Sequence, residues 1–294
     1  MAFSAEHGVI QRCLLATGGV RLSAWDWGTG AGGALPFLLV HGLASNARLW
    51  DGVARRLAAA GHPVVAVDQR GHGLSDKPDW GYDSRTIVED LVAVLDDLGW
   101  QRAIAVGQSW GGNVIVELAA RSPDRLAGAC GVDGGTLRLA QRFATWQDCR
   151  TALTPPVLLG ARAIDVRARM EAAHPDWPVE GIDGAMASFE VVSDGTVAPW
   201  LTLDHHLAIL AGLYAADPAR LYALLEVPTL FVTAADPAEP DRTAAKHQDI
   251  AEAVATIPHA RAVWLSPADH DVHAQKPEQV ARTLLDQCEA GFFA

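Results

Sequence analysis

In Gly107-Gln108-Ser109-Trp110-Gly111, a serine stands at the apex of a tight turn between two patterned segments. The apolar run 103–106 precedes the turn, and the segment 112–120, which has helical spacing, follows it. A strand that enters a helix through so short a turn forces its apex residue into a strained backbone conformation, and flanking glycines make room for it. The turn therefore predicts that the Ser109 hydroxyl is exposed at the edge of a sheet, as a nucleophile has to be.

The rest of the chain repeats this strand–helix alternation, which is typical of a mostly parallel sheet covered by helices on both faces. The first two strands are predicted to form an antiparallel pair joined at Gly18-Gly19. The predicted strands are 9–15, 20–27, 37–40, 64–67, 103–106, 126–132, 229–233 and 262–265, and the predicted helices are 47–60, 84–98, 112–120, 246–256 and 277–288.

The alternation stops in the segment 136–222. This segment has only short helical patterns, separated by Pro155, Pro156, Pro175, Pro178, Pro199 and Pro218. It is too long to be a simple loop in a compact domain. We therefore predict a core formed by residues 1–135 and 223–294, and a helical cap, residues 136–222, inserted over the C-terminal edge of the sheet.

Composition narrows the classes of function. The 294 residues can bury a large core, and a formal charge of −12 argues against nucleic-acid binding, which needs a basic face. No apolar run approaches the roughly eighteen residues that cross a bilayer, and residues 1–7 lack the basic and apolar regions of a secretory signal.

Free thiols in a reducing cytosol are expected, because the cysteines are scattered (Cys13, Cys130, Cys149 and Cys288). The expected protein is cytoplasmic, acts on a small molecule and has no membrane or nucleic-acid partner; homo-oligomer formation stays open.

A serine hydroxyl is a weak nucleophile unless a base removes its proton and a third group orients that base. In this topology an acid and then a histidine follow the serine along the chain, each at the C-terminal end of a strand. Asp236 follows the predicted strand 229–233, and His270 follows 262–265. The sequence therefore predicts Ser109, Asp236 and His270 as the catalytic residues.

Asp133 is an alternative acid, because it also directly follows a predicted strand, 126–132. Asp236 is favoured, and Asp133 would then bond backbone groups or cap a helix at the junction with the cap.

His273 is an alternative base. The position of Pro277, which opens the last predicted helix, favours His270. Asp269 and Asp271, on either side of His270, are expected to be solvated loop residues that could bias its protonation.

Attack on a carbonyl also needs backbone N–H donors for the developing oxyanion. His41-Gly42-Leu43 directly follows the strand 37–40, which places the Leu43 amide at the same edge of the sheet. The Trp110 amide, at the start of the helix after Ser109, is the second predicted donor, assisted by the helix N-terminus. His41 itself is expected to be structural, with its ring bonded to neighbouring loops.

Taken together, these motifs resemble the α/β-hydrolase superfamily. The resemblance is carried by His41-Gly42, Asp68-Gln69-Arg70-Gly71-His72-Gly73-Leu74-Ser75, the turn around Ser109, and the turns of Asp236 and His270. It covers roughly residues 20–135 and 227–294. It implies an α/β-hydrolase fold with a mostly parallel eight-stranded sheet, helices on both faces and an inserted helical cap.

The resemblance also implies a structural turn at 68–75, with no chemistry for Arg70 or His72. Two positions depart from the family pattern: Gln108 stands where many members carry histidine, and Ala235 stands where glycine is common before the acid.

The implied activity is that of a serine hydrolase that cleaves an ester, thioester or lactone of a small, largely apolar acid, with no cofactor. Relatives that open epoxides or remove halides carry aspartate at the turn, where this chain has serine. Carbon–carbon bond hydrolases, cofactor-free haloperoxidases, hydroxynitrile lyases and a non-catalytic ligand-binding receptor stay open as alternatives.

In the cap, Trp200, His205 and His206 are predicted substrate contacts, and a packed or solvent-facing helix is the alternative. No metal site is predicted, because the pair His205-His206 and the pair of His270 with His273 lack a full ligand set.

Overall fold

A single eight-stranded sheet forms the centre of the computed structural model, which describes residues 9–28 and 33–293. Residues 1–7, in which the sequence predicts no secretory signal, lie outside the described residues. The strands are β1 (Ile10–Leu15), β2 (Arg21–Asp26), β3 (Phe37–Val40), β4 (Val64–Val67), β5 (Ala103–Gln108), β6 (Leu126–Val132), β7 (Phe189–Val191), β8 (Val197–Pro199), β9 (Thr229–Ala234) and β10 (Ala260–Leu265).

The helices agree with the predicted alternation in the core. They are α1 (Asp51–Ala59), α2 (Ser84–Asp97), α3 (Trp110–Arg121), α4 (Leu139–Arg142), α5 (Trp146–Leu153), α6 (Ala163–Ala173), α7 (Val179–Met186), α8 (Leu203–Ala215), α9 (Pro240–Thr256), α10 (Val272–Gln275) and α11 (Pro277–Glu289). Helix α9 begins at Pro240 and not at residue 246, because proline is well suited to the first helical turn.

The sheet has the strand order β1-β2-β4-β3-β5-β6-β9-β10. Strand β2 pairs antiparallel with β1 on one side and with β4 on the other, and the remaining pairs of this sheet are parallel. The predicted antiparallel opening pair and the predicted mostly parallel eight-stranded sheet are therefore confirmed.

Side chains of the central strands alternate between two apolar clusters. In β3, Leu38 and Val40 pack in the cluster that contains buried residues of α2 and α3. Phe37 and Leu39 pack in the opposite cluster, with buried residues of α1 and α11. Because both faces are covered, β3 is apolar at every position instead of alternating with polar residues.

The segment between β6 and β9 contains helices α4 to α8 and a separate antiparallel hairpin, β7–β8, which the sequence does not predict. We call residues 136–222 the cap segment. Helix α8 packs against the core through Ile209, Leu210 and Leu213. The division of the chain into a core and a cap stays a prediction.

Within residues 9–28 and 33–293, no single helix has both the length and the apolar composition needed to cross a membrane. The pair Leu203–Ala215 and Pro218–Leu224 meets both requirements together, but it is bent by 52°.

Candidate active site

Ser109 lies at the apex of a tight connection between the end of β5 and the start of α3. Its backbone angles are φ 53° and ψ −120°, which a residue with a side chain rarely adopts. A Cβ added to Gly111 would lie 2.5 Å from the Val40 oxygen and 2.6 Å from the His41 oxygen, so only glycine lets α3 approach β3 this closely. The chain therefore forms the strained strand–helix turn that its glycine spacing predicts.

The Ser109 hydroxyl, the His270 ring and the Asp133 carboxylate form one continuous line of hydrogen bonds. His270 Nε2 lies 2.9 Å from Ser109 Oγ, and His270 Nδ1 lies 2.6 Å from Asp133 Oδ2. A carboxylate only accepts hydrogen bonds, so Nδ1 donates to Asp133, and in the neutral ring Nε2 is left to accept the Ser109 proton. This arrangement can remove the serine proton and hold the resulting imidazolium.

The predicted role of Asp236 is corrected by this geometry, because the structure brings Asp133 to His270. The Asp236 carboxylate accepts a hydrogen bond from the Ala238 amide at 2.8 Å, a contact within its own loop. Asp133 directly follows β6, whereas Asp236 is two positions beyond the end of β9. The carboxylate of Asp236 is therefore used in a local Asx-type turn.

Asp133 is almost completely buried, with its side chain 1% exposed. Its Oδ1 accepts a hydrogen bond from the Ala234 amide at 3.0 Å. Lys246 Nζ, from α9, lies 2.7 Å from Oδ1 and 2.8 Å from Oδ2. Burial opposes ionisation of this carboxyl, but the hydrogen bonds and charges of His270 and Lys246 outweigh burial and hold its pKa below the ordinary range.

The loop that carries His270 is tied to two other parts of the chain. Gln108 Nε2 donates to the His270 carbonyl at 3.1 Å. Trp177 Nε1, from the cap segment, donates to Asp269 Oδ2 at 2.8 Å, and the Asp271 amide donates to Asp269 Oδ1 at 2.9 Å. Asp269 is therefore bonded to the cap segment, while its side chain is 32% exposed, so it is only in part the solvated residue that was expected.

Asp271 is also not simply solvated. Desolvation by its surroundings raises the pKa of its carboxyl, and the neighbouring charge of His270 only partly opposes this effect. Asp271 also precedes α10, where its backbone carbonyl accepts the amides of Ala274 and Gln275.

His270 and not His273 bonds Ser109, and within the described residues neither ring nitrogen of His273 has a hydrogen-bond partner. The His273 ring is fully buried and packs on Trp50 with a centroid distance of 4.4 Å. Burial, with smaller contributions from His270 and His41, lowers the pKa of His273 to about 3. A histidine in this position stays neutral and belongs to the packing beneath the site.

The two predicted oxyanion donors lie next to Ser109. A Cβ added to Gly42 would lie 3.1 Å from the Ser109 Cβ, so the loop that carries Leu43 passes directly beside the serine. Trp110 is the first residue of α3, and its N–H has no acceptor within the helix. Within the described ranges, neither amide donates to a backbone carbonyl.

His41 has the structural role that the sequence predicts. Its ring is fully buried, with Nδ1 donating to the Gly42 carbonyl at 2.7 Å and Nε2 accepting from the Gln69 amide at 3.0 Å. Arg70 also has a structural role, because it forms a buried ion pair in which Arg70 Nε lies 2.6 Å from Asp90 Oδ2.

The three residues of the cap segment that are predicted to contact the substrate have other partners. Lys77 Nζ lies 5.2 Å from the centroid of the Trp200 ring, and the rings of His205 and Tyr82 stack with a centroid distance of 4.6 Å. His206 Nε2 lies 3.0 Å from the Leu153 carbonyl oxygen. No hydrogen bond or ring contact joins these three residues to Ser109, Asp133 or His270 in the described part of the chain. Their contact with a substrate stays a prediction.

Among the described residues, no group of three or more histidine, cysteine, aspartate or glutamate side chains is arranged to hold a metal ion.

Lys246 and Trp177 were not predicted as part of the site. Lys246 is 113 positions from Asp133 in the chain, and it stands in a helix of ordinary composition, so no local pattern marks it. Gln108 did carry a signal, because it departs from the histidine that is common at that position. The structure shows that this side chain supports the His270 loop.

Comparison with known proteins agrees with this fold. Residues 36–155 match a family model described as the alpha/beta hydrolase fold. A 2-(acetamidomethylene)succinate hydrolase from Mesorhizobium japonicum is 26% identical over 98% of both chains. Epoxide hydrolase A from Mycobacterium tuberculosis is 38% identical over 130 residues, which are 44% of this chain and 40% of that protein.

Solved structures show the same architecture over nearly the whole chain. The crystal structure of E-2-(acetamidomethylene)succinate hydrolase is 25% identical, has a TM-score of 0.75, and covers 96% of this chain and 99% of its own. A thioesterase domain from the curacin biosynthetic pathway, 22% identical with a TM-score of 0.74 over 94% of this chain and 99% of its own, shares the fold. The chain therefore has the α/β-hydrolase fold, and its residues 36–155 match that family.

Proposed function

We propose that this protein is a serine hydrolase that cleaves an ester, thioester or lactone of a small, largely apolar acid through an acyl-enzyme on Ser109. The observation that carries the proposal is the unbroken line from Ser109 Oγ through His270 to Asp133, with distances of 2.9 Å and 2.6 Å. A hydroxyl held in this way is the activated nucleophile of acyl transfer.

In the proposed mechanism, His270 Nε2 takes the Ser109 proton while Oγ bonds to the carbonyl carbon of the substrate. The amides of Leu43 and Trp110 donate to the oxyanion, and Asp133 stabilises the imidazolium through Nδ1. The tetrahedral intermediate then expels the alcohol or thiol, which receives the proton from His270. Finally, His270 takes a proton from water, the resulting hydroxide attacks the acyl carbon, and Ser109 regains its proton as the acid leaves.

The residue at the turn favours this chemistry over that of some relatives. Epoxide hydrolase A is 38% identical to this chain over 130 residues. Members of the superfamily that open epoxides carry aspartate at the turn, whereas this chain has Ser109 there. The relative that matches over 98% of both chains is named for 2-(acetamidomethylene)succinate, so this compound belongs in the substrate panel beside p-nitrophenyl esters, thioesters and lactones.

Labelling with a fluorophosphonate probe tests the proposal and does not require that the substrate be identified. The wild-type protein should form a covalent adduct on Ser109, and Ser109→Ala should lose both the adduct and at least about 10³-fold of its p-nitrophenyl ester turnover.

Ser122→Ala is the matched control, because Ser122 follows the far end of α3 and its labelling and turnover should equal those of the wild type. An unlabelled wild-type protein would favour a ligand-binding receptor on the same scaffold. Full activity in Ser109→Ala would exclude the serine mechanism.

A further inference from the structure

Lys246 makes contacts that connect α9 directly to the candidate active site. Its ammonium nitrogen lies within 2.7 Å and 2.8 Å of the two Asp133 oxygens and donates to the Ala234 carbonyl at 2.9 Å. The Lys246 side chain is 22% exposed and that of Asp133 is 1% exposed. The ion pair is therefore mostly shielded from solvent, where its charges interact more strongly than at an open surface.

These contacts determine how the Asp133 carboxylate is held. Oδ1 accepts from the Ala234 amide and from Lys246, while Oδ2 accepts from His270 and from Lys246. An ammonium that spans both oxygens, and is itself held by the Ala234 carbonyl, fixes the plane of the carboxylate. It therefore also fixes the direction in which Asp133 Oδ2 accepts the hydrogen bond from His270 Nδ1.

Lys246 also changes the charge next to His270. A lone carboxylate behind the histidine stabilises the imidazolium form of the ring. Here the carboxylate and the ammonium together carry no net charge, so loss of the Lys246 charge would leave the Asp133 carboxylate unbalanced beside the His270 ring. The base of the proposed mechanism must be unprotonated to accept the serine proton, so the charge held next to its ring bears on the reaction.

We propose that Lys246 is a positioning residue that orients Asp133 and, through it, the His270 ring, and that its positive charge balances the Asp133 carboxylate beside the base. This inference rests on the proposed function, because it requires His270 to act as the base for Ser109. Lys246 acts through Asp133 and does not contact the reacting atoms.

Other titratable groups surround the His270 ring and its loop: Asp133, Lys246, Asp269, Asp271, His273, His174 and His41. Asp269 and Asp271 are the acidic side chains of the His270 loop itself. Within the described residues, Lys246 is the cation that contacts the Asp133 carboxylate, so it offsets the charge on the acidic side chains around the base.

The test is the rate of fluorophosphonate labelling of Ser109 measured from about pH 5 to about pH 9, since that rate requires unprotonated His270. Lys246→Met keeps the apolar stem of the side chain and removes its charge. In this variant, we expect the acidic limb of the plot of labelling rate against pH to shift to a pH that is about one unit higher. Lys246→Arg, which retains a cation, should return the limb to within a few tenths of a pH unit of the wild type.

Arg242→Met is the matched control. Arg242 is one turn earlier in α9 and bonds Glu239 at 2.9 Å, so its removal takes one positive charge from the same helix and leaves the acidic limb in place. Thermal unfolding of each variant identifies any loss of folding.

An unmoved acidic limb in folded Lys246→Met, or an equal shift in Arg242→Met, would overturn the role of Lys246 while labelling of Ser109 still supports the hydrolase. A lower plateau with the limb unchanged would assign Lys246 a merely structural role and also overturn the proposal. Absence of labelling in the wild type would instead contradict the proposed function itself.

Discussion

The neighbouring strands β6 and β9 both lead into an aspartate at the same edge of the sheet, but the two carboxylates have different roles. Asp133, directly after β6, adopts a φ of 42° and points its buried carboxylate at His270. Asp236, two positions beyond β9, bonds the Ala238 amide in its own loop. The difference shows that a strand end provides the correct edge of the sheet, whereas the local turn decides what each side chain reaches.

The end of β9 still contributes to the site, although through its backbone. The Ala234 amide donates to Asp133, and the Ala234 carbonyl accepts from Lys246, so the end of β9 helps to hold the carboxylate that follows β6. The departure at Ala235, where glycine is common before the acid, lies in the loop whose aspartate does not reach His270.

The largest expected effect separates the two aspartates by activity. Asp133→Asn removes the charge that holds His270 Nδ1, and we expect kcat/KM for the best ester of the panel to fall by about 10³- to 10⁴-fold. Asp236→Asn alters a turn and should change kcat/KM by less than about threefold. Steady-state kinetics of both variants at one pH measure the difference.

The reverse ranking of these two variants would return the acid role to Asp236. Equal, small losses in both would show that His270 does not depend on either carboxylate.

The second largest expected effect is a difference between the two aspartates in how much each contributes to the stability of the protein at acidic pH. The pKa of Asp133 is held below its ordinary value of about 3.9 in the folded protein. A group with a lowered folded pKa contributes stability above its unfolded pKa, and that contribution is lost as the pH falls through the folded pKa. Asp133→Asn should therefore be less stable than the wild type near neutral pH and should lose less further stability below about pH 4.

Urea unfolding at a series of pH values measures this prediction. Asp236→Asn is the control, and its acid-dependent loss should follow the wild type because it retains Asp133. Parallel curves for the wild type and Asp133→Asn would show that the Asp133 carboxylate gains no stability from His270 and Lys246.

The smallest expected effect concerns the turn of Asp236. Thr243 Oγ accepts from the Asp236 amide at 3.3 Å and donates to the Asp236 carbonyl at 3.1 Å. Thr243→Val removes both bonds and should lower the free energy of unfolding by about 1 kcal/mol, while kcat/KM stays within about twofold of the wild type. Urea unfolding and ester kinetics on the same sample measure both quantities, and a tenfold loss of activity would make the Asp236 turn part of the site.

The elements of the core were predictable because their signals are local. Four apolar residues in β3, bounded by a proline and a histidine-glycine pair, indicate a strand buried on both faces. The apolar spacing of α2 indicates a helix, and the structure buries Ile87, Leu91 and Val94 along one face. The hairpin β7–β8 was not predicted, because its strands have only three residues each and one of them ends in proline.

The site was predictable in part. Ser109 and His270 could be placed because strand ends of a parallel sheet meet at one edge, and the glycine-flanked turn marks the serine. The choice between Asp133 and Asp236 could not be made in this way, since both follow strands and both have the same side chain. It depends on the backbone turn at Asp133 and on hydrogen bonds from Ala234 and Lys246, which are distant in sequence.

By itself, the sequence determined a parallel-sheet core and a strained turn with a serine at its apex, because hydrophobic periodicity and glycine spacing act over a few neighbouring residues. Only the folded chain shows that Asp133 holds His270, that Lys246 spans the Asp133 carboxylate, and that Trp177 ties the cap segment to Asp269. Those contacts join residues that are about a hundred positions apart or more. Their formation depends on the direction of each loop and on competition among nearby partners, which no local pattern encodes.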